Sequence, residues 1–356
     1  MAEKRKVMWI ELLRILACFG VIVLHMGAQH FRDIPIDSFN WKVSNFYHGI
    51  TRFAVSCFMM ISGYLYLNEK RELPISKLYK KNIIPVTIAF VFWQCFYAVY
   101  RIIVEGRLVI GSGDFFKRIF IYMSKSYFHL WYLPMLIGLL IITPFLRAIV
   151  AGEEGKKRAE YLIILYLVFQ IIPVTIGYFP LPQKEYVRNV LSIIRPELIT
   201  SYVGYFVMGY YIGNYEMNKK VEKIIMIMGI ALIAIGIILC QYYSLHWNRP
   251  TQAFYENYSI AVFFFSSSVF LIFKNYLSKL QLGGKWEKLI CQIGSCTFGI
   301  YLVHALFRDI FDRFGLDSLT LNPVLGIPLI AILIFICSYA LVCIIKKIPI
   351  IGKWIV

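Results

Sequence analysis

The sequence predicts an all-α, polytopic membrane protein of about ten transmembrane helices. Hydrophobic residues make up 59% of its 356 positions, charged residues make up only 16%, and the mean hydropathy is +0.67. Soluble domains are more polar than this, and a helix needs roughly 20 apolar residues to cross a bilayer. Suitable stretches recur at residues 7–28, 45–67, 82–104, 130–150, 160–178, 196–215, 223–243, 255–274, 290–311 and 323–345.

The connections between these stretches are short, so residues 1–356 are expected to form a single membrane domain. The formal net charge of +17 would suit a nucleic-acid partner, but the arrangement of the cations indicates membrane orientation instead. With a cytoplasmic N-terminus, 22 Lys and Arg residues lie on the cytoplasmic side and 13 on the opposite side. Both termini are then cytoplasmic, and we expect a multi-pass protein of the cell membrane in contact with its lipids.

The predicted cytoplasmic cations form several groups, among them Lys4, Arg5 and Lys6, then Arg71, Lys77, Lys80 and Lys81, then Arg147 with residues 156–158, and finally Lys346 and Lys347. The excess of cations on the cytoplasmic side is least clear after the third span, where four cations would lie outside. They are Arg107, Lys117, Arg118 and Lys125. Residues 115–128 there mix basic and aromatic side chains, so this segment is expected to lie along the membrane interface.

The first span carries three ionisable residues, Glu11, Arg14 and His25, at a depth where charge is costly. At about 100° per residue these three share one stripe with Cys18 and Ile22, so the stripe is expected to face the protein interior. Arg14 and His25 are about 16 Å apart along the helix axis. Charge interrupts the apolar stretch and no small-residue cleavage pattern follows it, so this helix is not expected to be a cleaved signal peptide.

Cysteine and histidine spacing indicates neither disulfides nor a metal site. All eight cysteines fall within predicted spans, where cysteine usually acts as a small apolar residue. The six histidines lack the i, i+3 or i, i+4 spacing of metal-binding helices. No metal and no permanently bound cofactor is predicted.

Further motifs follow Arg14 and His25 in chain order. They are Phe58-Met-Met-Ile-Ser62-Gly63-Tyr64, Lys80-Lys81-Asn-Ile-Ile-Pro85, His129-Leu-Trp131-Tyr-Leu, Tyr205-Phe-Val-Met-Gly-Tyr-Tyr-Ile-Gly213 and Gly299-Ile-Tyr-Leu-Val-His304. Together with the Arg14 and His25 pair, these motifs resemble integral-membrane acyltransferase family 3, whose members O-acylate sugars and other envelope acceptors. The likeness spans nearly the whole chain.

Cys57 departs from the family, which frequently has a phenylalanine there. Many relatives also carry a fused extracellular hydrolase-like domain that this chain lacks, so acceptor specificity is expected to come from helices and loops.

The resemblance implies an O-acyltransferase that moves an acyl group, expected to be acetyl, from cytoplasmic acyl-CoA to a hydroxyl of an envelope carbohydrate or lipid-linked precursor. In this interpretation His25 is a general base or forms an acyl-imidazole, and Arg14 holds the donor or its thioester oxygen while Glu11 orients Arg14. Purely structural roles are the alternatives. His25 would then be hydrogen-bonded to a neighbouring helix, and Arg14 would form an ion pair with Glu11 one turn earlier.

Other candidates divide into a donor group and a cavity group. Arg71, Lys80 and Lys81 suit phosphate binding, although attraction to anionic lipids explains such cations equally well. His304 should lie at a depth similar to that of His25, so the two histidines could share one cavity. Trp131 is more typical of an interfacial anchor than of an acceptor platform. The cavity and acceptor candidates are Ser62, Tyr64, His129, Trp131 and His304.

Two other functional classes fit buried charges in about ten helices. One is a transporter, either a carrier of amino acids or a polysaccharide exporter, and a carrier would bind the carboxylate and amine of its substrate with Arg14 and Glu11. Matching Gly- and Pro-interrupted helices in the two halves of the chain would favour a carrier, and the sequence lacks them. A non-catalytic scaffold would not explain why Arg14 and His25 share one buried stripe.

Overall fold

The computed structural model describes residues 7–105, 113–182, 185–186, 189–190, 200–280, 283–349 and 352–356. Within these ranges the chain forms helices joined by turns and contains no strand, which confirms the predicted all-α class. Three predicted features fall wholly or partly elsewhere. The Lys4 to Lys6 cluster, Arg107 and the start of the span predicted at 196–215 lie outside the described residues.

Eight helices in the described part are long and apolar enough to cross a membrane. They are Met8–Gly27 (α1), Ile75–Val104 (α4), Tyr132–Val150 (α6), Gly155–Gly177 (α7), Lys219–His246 (α9), Ala253–Lys279 with its α-helical part at Ile260–Tyr276 (α10), Lys285–Arg313 (α11) and Pro323–Ile345 (α12). The shorter helices are Phe39–Ile50 (α2), Phe53–Tyr66 (α3), Gly113–Lys125 (α5), Val203–Asn214 (α8) and Gly352–Ile355 (α13).

Two of the ten predicted spans differ from the prediction. The stretch at 45–67 is divided at residues 51–52 into α2 and α3, and the described part of the stretch at 196–215 is the 12-residue α8. The division places the buried Arg52 at a helix junction, with Nη2 2.9 Å from Nε2 of His48 and Nη1 3.5 Å from Oε2 of Glu256. A buried guanidinium needs such partners, and Arg52 has them at the point where the expected helix is interrupted.

Two glycines allow α3 and α8 to pack with their backbones in close approach. A Cβ atom on Gly63 would lie 1.7 Å from the carbonyl oxygen of Phe206, and one on Gly209 would lie 2.0 Å from that of Met60. Small residues at a crossing let membrane helices come together without a large side chain between them. Gly63 therefore fixes the position of its neighbour Ser62.

The first helix runs through the interior of the bundle and contacts α3, α10, α11 and α12. Its polar stripe faces α11, because Sγ of Cys18 lies 3.5 Å from the carbonyl oxygen of Thr297. Glu11 is seated against Gly294, where a Cβ atom would come within 2.1 Å of Oε2 of Glu11. The stripe thus faces protein, as the sequence pattern predicts.

Two side-chain hydrogen bonds join helix ends that the sequence assigns to the same side of the membrane. Asn68 donates to Asn214 at 2.8 Å at the end predicted to be cytoplasmic. Gln29 donates to Asp312 at 2.7 Å at the opposite end. Helices α1, α4 and α11 run parallel, with their N-terminal halves at the first of these ends. This arrangement fits the predicted orientation, which itself stays a prediction.

Candidate active site

A cavity of about 350 Å³ opens where the N-terminal halves of α1, α4 and α11 meet α3 and α6. Three predicted site residues line it, namely Arg14, Ser62 and Lys81. Ser62 donates its hydroxyl hydrogen to the carbonyl oxygen of Phe58 at 2.9 Å. The wall also includes polar groups that the sequence did not single out, among them Tyr66, Asn82, Tyr132, Ser295, Thr297 and Tyr301.

Arg14 forms an ion pair and faces the cavity at the same time. Its Nη1 lies 3.0 Å from Oε1 of the buried Glu11, and 29% of its side-chain surface stays exposed. The other carboxylate oxygen of Glu11, Oε2, is buried without a hydrogen-bond partner among the described residues. The structural role predicted for this pair is therefore present, and it leaves the guanidinium open to a ligand.

The charge of the cavity wall is positive. Arg14 and Lys81 both line it, and no Asp or Glu does so among the described residues. Lys81 lies in a π-helical turn, Tyr79–Ile83, near the start of α4, and turns of this kind are frequent at functional sites. Such a wall suits an anionic or carbonyl-bearing ligand.

The remaining donor candidates lie outside this cavity wall. Lys80 is exposed and does not line the cavity. The guanidinium of Arg71 lies 5.2 Å from the ring centroid of Tyr66 and donates to the carbonyl oxygen of Leu65 at 3.3 Å. Arg71 is thus held against the end of α3, beside a tyrosine that does line the cavity.

Two acceptor candidates also lie elsewhere. Tyr64 packs against Trp9 with ring centroids 5.5 Å apart and does not line the cavity. Trp131 keeps 39% of its surface exposed and lies 5.9 Å from the ring of Tyr202. Its exposure fits an interfacial anchor.

Three predicted histidines from different parts of the chain form a cluster towards the C-terminal ends of α1 and α11. The ring centroids of His25 and His304 are 5.4 Å apart and stacked, and those of His129 and His304 are 4.9 Å apart. The ring of Phe128 lies 4.8 Å from that of His25. Arg308 completes this group, with its guanidinium carbon 4.4 Å from the Phe128 centroid.

The hydrogen bonds in this histidine cluster define which ring nitrogens carry hydrogen. Nδ1 of His304 lies 2.6 Å from the carbonyl oxygen of Tyr301, and Nε2 of His129 lies 3.3 Å from that of Leu302. Carbonyl oxygens only accept, so these two nitrogens donate. The opposite nitrogens, Nε2 of His304 and Nδ1 of His129, are buried without a partner in the described structure.

His129 lies in the turn before α6, and burial lowers its pKa well below the usual range. The adjacent His304 and the cation of Arg308 lower this pKa further. The imidazole of His129 is therefore neutral at physiological pH, and its unpartnered nitrogen carries a lone pair that can accept a hydrogen bond from a hydroxyl.

Tyr301 lies between the cavity and the histidine cluster. Its ring lines the cavity, and its centroid lies 5.6 Å from that of His129 and 5.7 Å from that of His304. Its hydroxyl donates to the carbonyl oxygen of His129. One aromatic layer therefore separates the cations of the cavity from the imidazoles.

Sequence reasoning missed Arg308 and Tyr301, although both share a helix with His304. Arg308 follows His304 by four positions and Tyr301 precedes it by three, so all three residues lie on one face of α11. Helical spacing around a buried histidine was the available signal.

One group of potential metal ligands lies away from both sites. Ligand atoms of His30, Asp312 and Asp317 come within 4.8 Å of one another. Nε2 of His30 is 3.1 Å from Oδ2 of Asp317, and Gln29 donates to Asp312. Burial opposes ionisation of Asp317, but the backbone N–H of Leu319, the hydroxyl of Thr320 and the His30 ring together lower its pKa. These contacts join the turns after α1 and α11.

Comparison with known protein families places this arrangement in context. A family model described as an acyltransferase domain, that of acyltransferase family 3, matches residues 7–343. The comparisons with curated proteins and with solved structures found no significant match. The matched range contains Arg14, Lys81 and all three clustered histidines.

Proposed function

Because the chain belongs to acyltransferase family 3, we propose that it transfers an acyl group from acyl-CoA to a hydroxyl of an envelope carbohydrate or lipid-linked precursor. Family membership makes the protein a membrane acyltransferase, and the donor and acceptor are the proposal. The main support is that Arg14, which lines the cationic cavity, and His25, which belongs to the histidine cluster, lie on the same stripe of α1. Tyr301 lies between the two sites.

The donor half of the proposal rests on the positive cavity. Lys81, near the start of α4, would bind a phosphate of coenzyme A, and Arg14 would hold the donor while its pantetheine arm runs towards His25. Glu11 orients Arg14 through the 3.0 Å contact. At about 350 Å³ the cavity is at the small end of ligand pockets, so it would enclose only part of the donor.

The acceptor half rests on His25. As general base, its imidazole would remove the proton of the acceptor hydroxyl while the oxygen attacks the thioester carbonyl carbon. The carbon–sulfur bond then breaks, and the imidazolium returns the proton to the leaving thiolate. In the covalent alternative a nitrogen of His25 attacks the thioester carbonyl carbon, the carbon–sulfur bond breaks, and the ring gives its proton to the leaving thiolate. The acceptor oxygen then attacks the acyl-imidazole, the carbon–nitrogen bond breaks, and the hydroxyl proton passes to the ring.

The two halves are joined along α1. Arg14 and His25 are about 16 Å apart along the helix axis, a distance that the pantetheine arm of the donor can partly span. Tyr301 lies in the way, so rotation of its side chain would open the cavity towards the imidazoles. His304, stacked on His25 and carrying an unpartnered nitrogen, would assist the proton transfer.

The test is thioester consumption by purified protein in nanodiscs with radiolabelled acetyl-CoA. We expect slow hydrolysis or label transfer in the wild type and its loss in both His25→Ala and Arg14→Ala at unchanged protein abundance. His246→Ala is the matched control, because His246 is exposed near the end of α9. Full activity of His25→Ala would contradict the proposed mechanism. If wild-type protein neither binds nor consumes acetyl-CoA or longer acyl-CoAs, the carrier interpretation takes its place.

A further inference from the structure

A second cleft, of about 410 Å³, lies at the opposite end of the bundle from the cationic cavity. It is formed by the C-terminal ends of α4 and α11 and by the turn at 126–128. Lys81 lies near the start of α4, whereas Arg101 and Glu105 of the cleft lie at its end. The two openings are thus separated by the length of a membrane-spanning helix.

Phe128 connects this cleft to the histidine cluster. Its side chain lines the cleft and keeps 38% of its surface exposed. The same ring lies 4.8 Å from the ring of His25 and is covered by the guanidinium of Arg308 at 4.4 Å. A molecule seated in the cleft is therefore one aromatic side chain away from His25.

The charges of the cleft are balanced, unlike those of the cationic cavity. Nε of Arg313 lies 3.1 Å from Oδ2 of Asp309, and Nε of Arg101 lies 3.7 Å from Oε1 of Glu105. Tyr100 donates its hydroxyl hydrogen to Asp309 as well. Two cations facing two carboxylates give the cleft little net attraction for an anion, but they supply many hydrogen-bond donors and acceptors.

Balanced charged groups beside an exposed aromatic ring suit one class of ligand. The hydroxyls of a sugar donate to carboxylates and accept from guanidinium groups, and its apolar face packs on an aromatic ring. We infer that this cleft binds the acceptor and that the acceptor presents an uncharged sugar unit to it, held by Asp309 and Arg313 and packed on Phe128. This inference rests on the proposed function and adds the place and charge of the acceptor.

The experiment measures release of coenzyme A from acetyl-CoA by full-length protein in nanodiscs, with and without added sugars. The probes are neutral methyl glycosides of glucose, galactose, mannose and rhamnose, and the anionic comparisons are glucuronic acid and glucose 6-phosphate. The cleft variants are Asp309→Asn and Arg313→Gln. If one of them fails to fold, the other still tests the inference. Asp312→Asn is the matched control, because Asp312 is exposed on the same helix and bonds Gln29 instead.

We expect at least one neutral glycoside to accelerate coenzyme A release. Half-maximal acceleration should need about tenfold more glycoside in both cleft variants, since each loses a charged hydrogen bond, and the same amount in Asp312→Asn. Release without sugar should be equal in the wild type and in Asp312→Asn, because Asp312 does not line the cleft.

Three results would overturn the inference. Equal acceleration in the cleft variants and in Asp312→Asn would place the acceptor elsewhere. Acceleration by anionic sugars alone, or by no sugar, would reject the ligand class and leave the donor chemistry standing. Absence of coenzyme A release from the wild type under every condition would reject the proposed function itself, and this inference with it.

Discussion

Lys81 and Lys80 are neighbours in the chain, yet only Lys81 lines the cationic cavity. Replacing them one at a time separates donor binding from attraction to lipid. We expect Lys81→Ala to raise the KM for acetyl-CoA about tenfold, because a charge-assisted contact to phosphate is lost. Lys80→Ala removes the same charge from the same surface and should change this KM less than about twofold. Equal effects in a steady-state assay would contradict the assignment of Lys81.

His304 offers a second test at the level of single side chains. Its buried, unpartnered Nε2 lies in the ring stacked on His25, so we expect His304→Ala to lower kcat about a hundredfold. The KM for acetyl-CoA should stay unchanged, because His304 does not line the cationic cavity. His246→Ala replaces an exposed histidine and should leave both constants unchanged. An unchanged kcat in His304→Ala would assign this ring to packing alone.

From the sequence, the important residue types were easier to predict than the neighbours that each residue contacts. The depths of His25 and His304 followed from helix order, and the structure places their rings 5.4 Å apart. To predict that Lys81 and not Lys80 lines the cavity, one must know the direction in which each side chain leaves the helix. The π-helical turn at Tyr79–Ile83 changes that direction. Arg308 could have been found from its four-residue spacing to His304, whereas Phe128 lies in a turn whose direction no periodicity specifies.

At the scale of helices, the crossing of α3 and α8 depends on the absence of a side chain at Gly63. Gly63→Ala would place a Cβ atom 1.7 Å from the carbonyl oxygen of Phe206. We expect a loss of about 1–3 kcal/mol or more in stability, because the two helices must move apart. The resulting fall in the thermal unfolding midpoint can be measured in detergent by intrinsic fluorescence.

Gly138→Ala is the control for that substitution. Gly138 lies inside α6, and a Cβ atom there would meet no heavy atom within 4 Å. Because alanine favours helix over glycine, this variant should be unchanged or more stable by about 1 kcal/mol. Similar midpoints for Gly63→Ala and Gly138→Ala would show that the close approach of α3 and α8 does not limit stability.

Helix boundaries were largely predictable, because the limits of apolar stretches follow composition. The last predicted span, 323–345, coincides with α12, and the first, 7–28, nearly coincides with α1. The division of 45–67 was not predictable in this way. At this division Arg52 meets Glu256, a residue 204 positions later. Long-range partners of this kind leave no mark in local composition.

For the whole molecule, the two openings differ in charge as well as position. The cationic cavity has Arg14 and Lys81 on its wall, and the opposite cleft pairs two cations with two carboxylates. A coenzyme A donor carries phosphates and a sugar unit need not, so each opening suits a different substrate. The histidine cluster lies between them, which is where an acyl group would change carriers.

The proposed use of one opening for the donor and the other for the acceptor depends on orientation, because acyl-CoA is found in the cytoplasm. The predicted orientation places the turn containing Glu153 in the cytoplasm and the turn containing Asp33 outside. Both side chains are exposed, and acidic residues contribute little to orientation, so Glu153→Cys and Asp33→Cys form a matched pair. On intact cells a membrane-impermeant maleimide should label Asp33→Cys and should label Glu153→Cys only after permeabilisation. The wild type supplies the background, since its eight cysteines are buried or half-buried. The reverse pattern would open the cationic cavity to the outside, where acyl-CoA is absent, and would contradict the proposed donor.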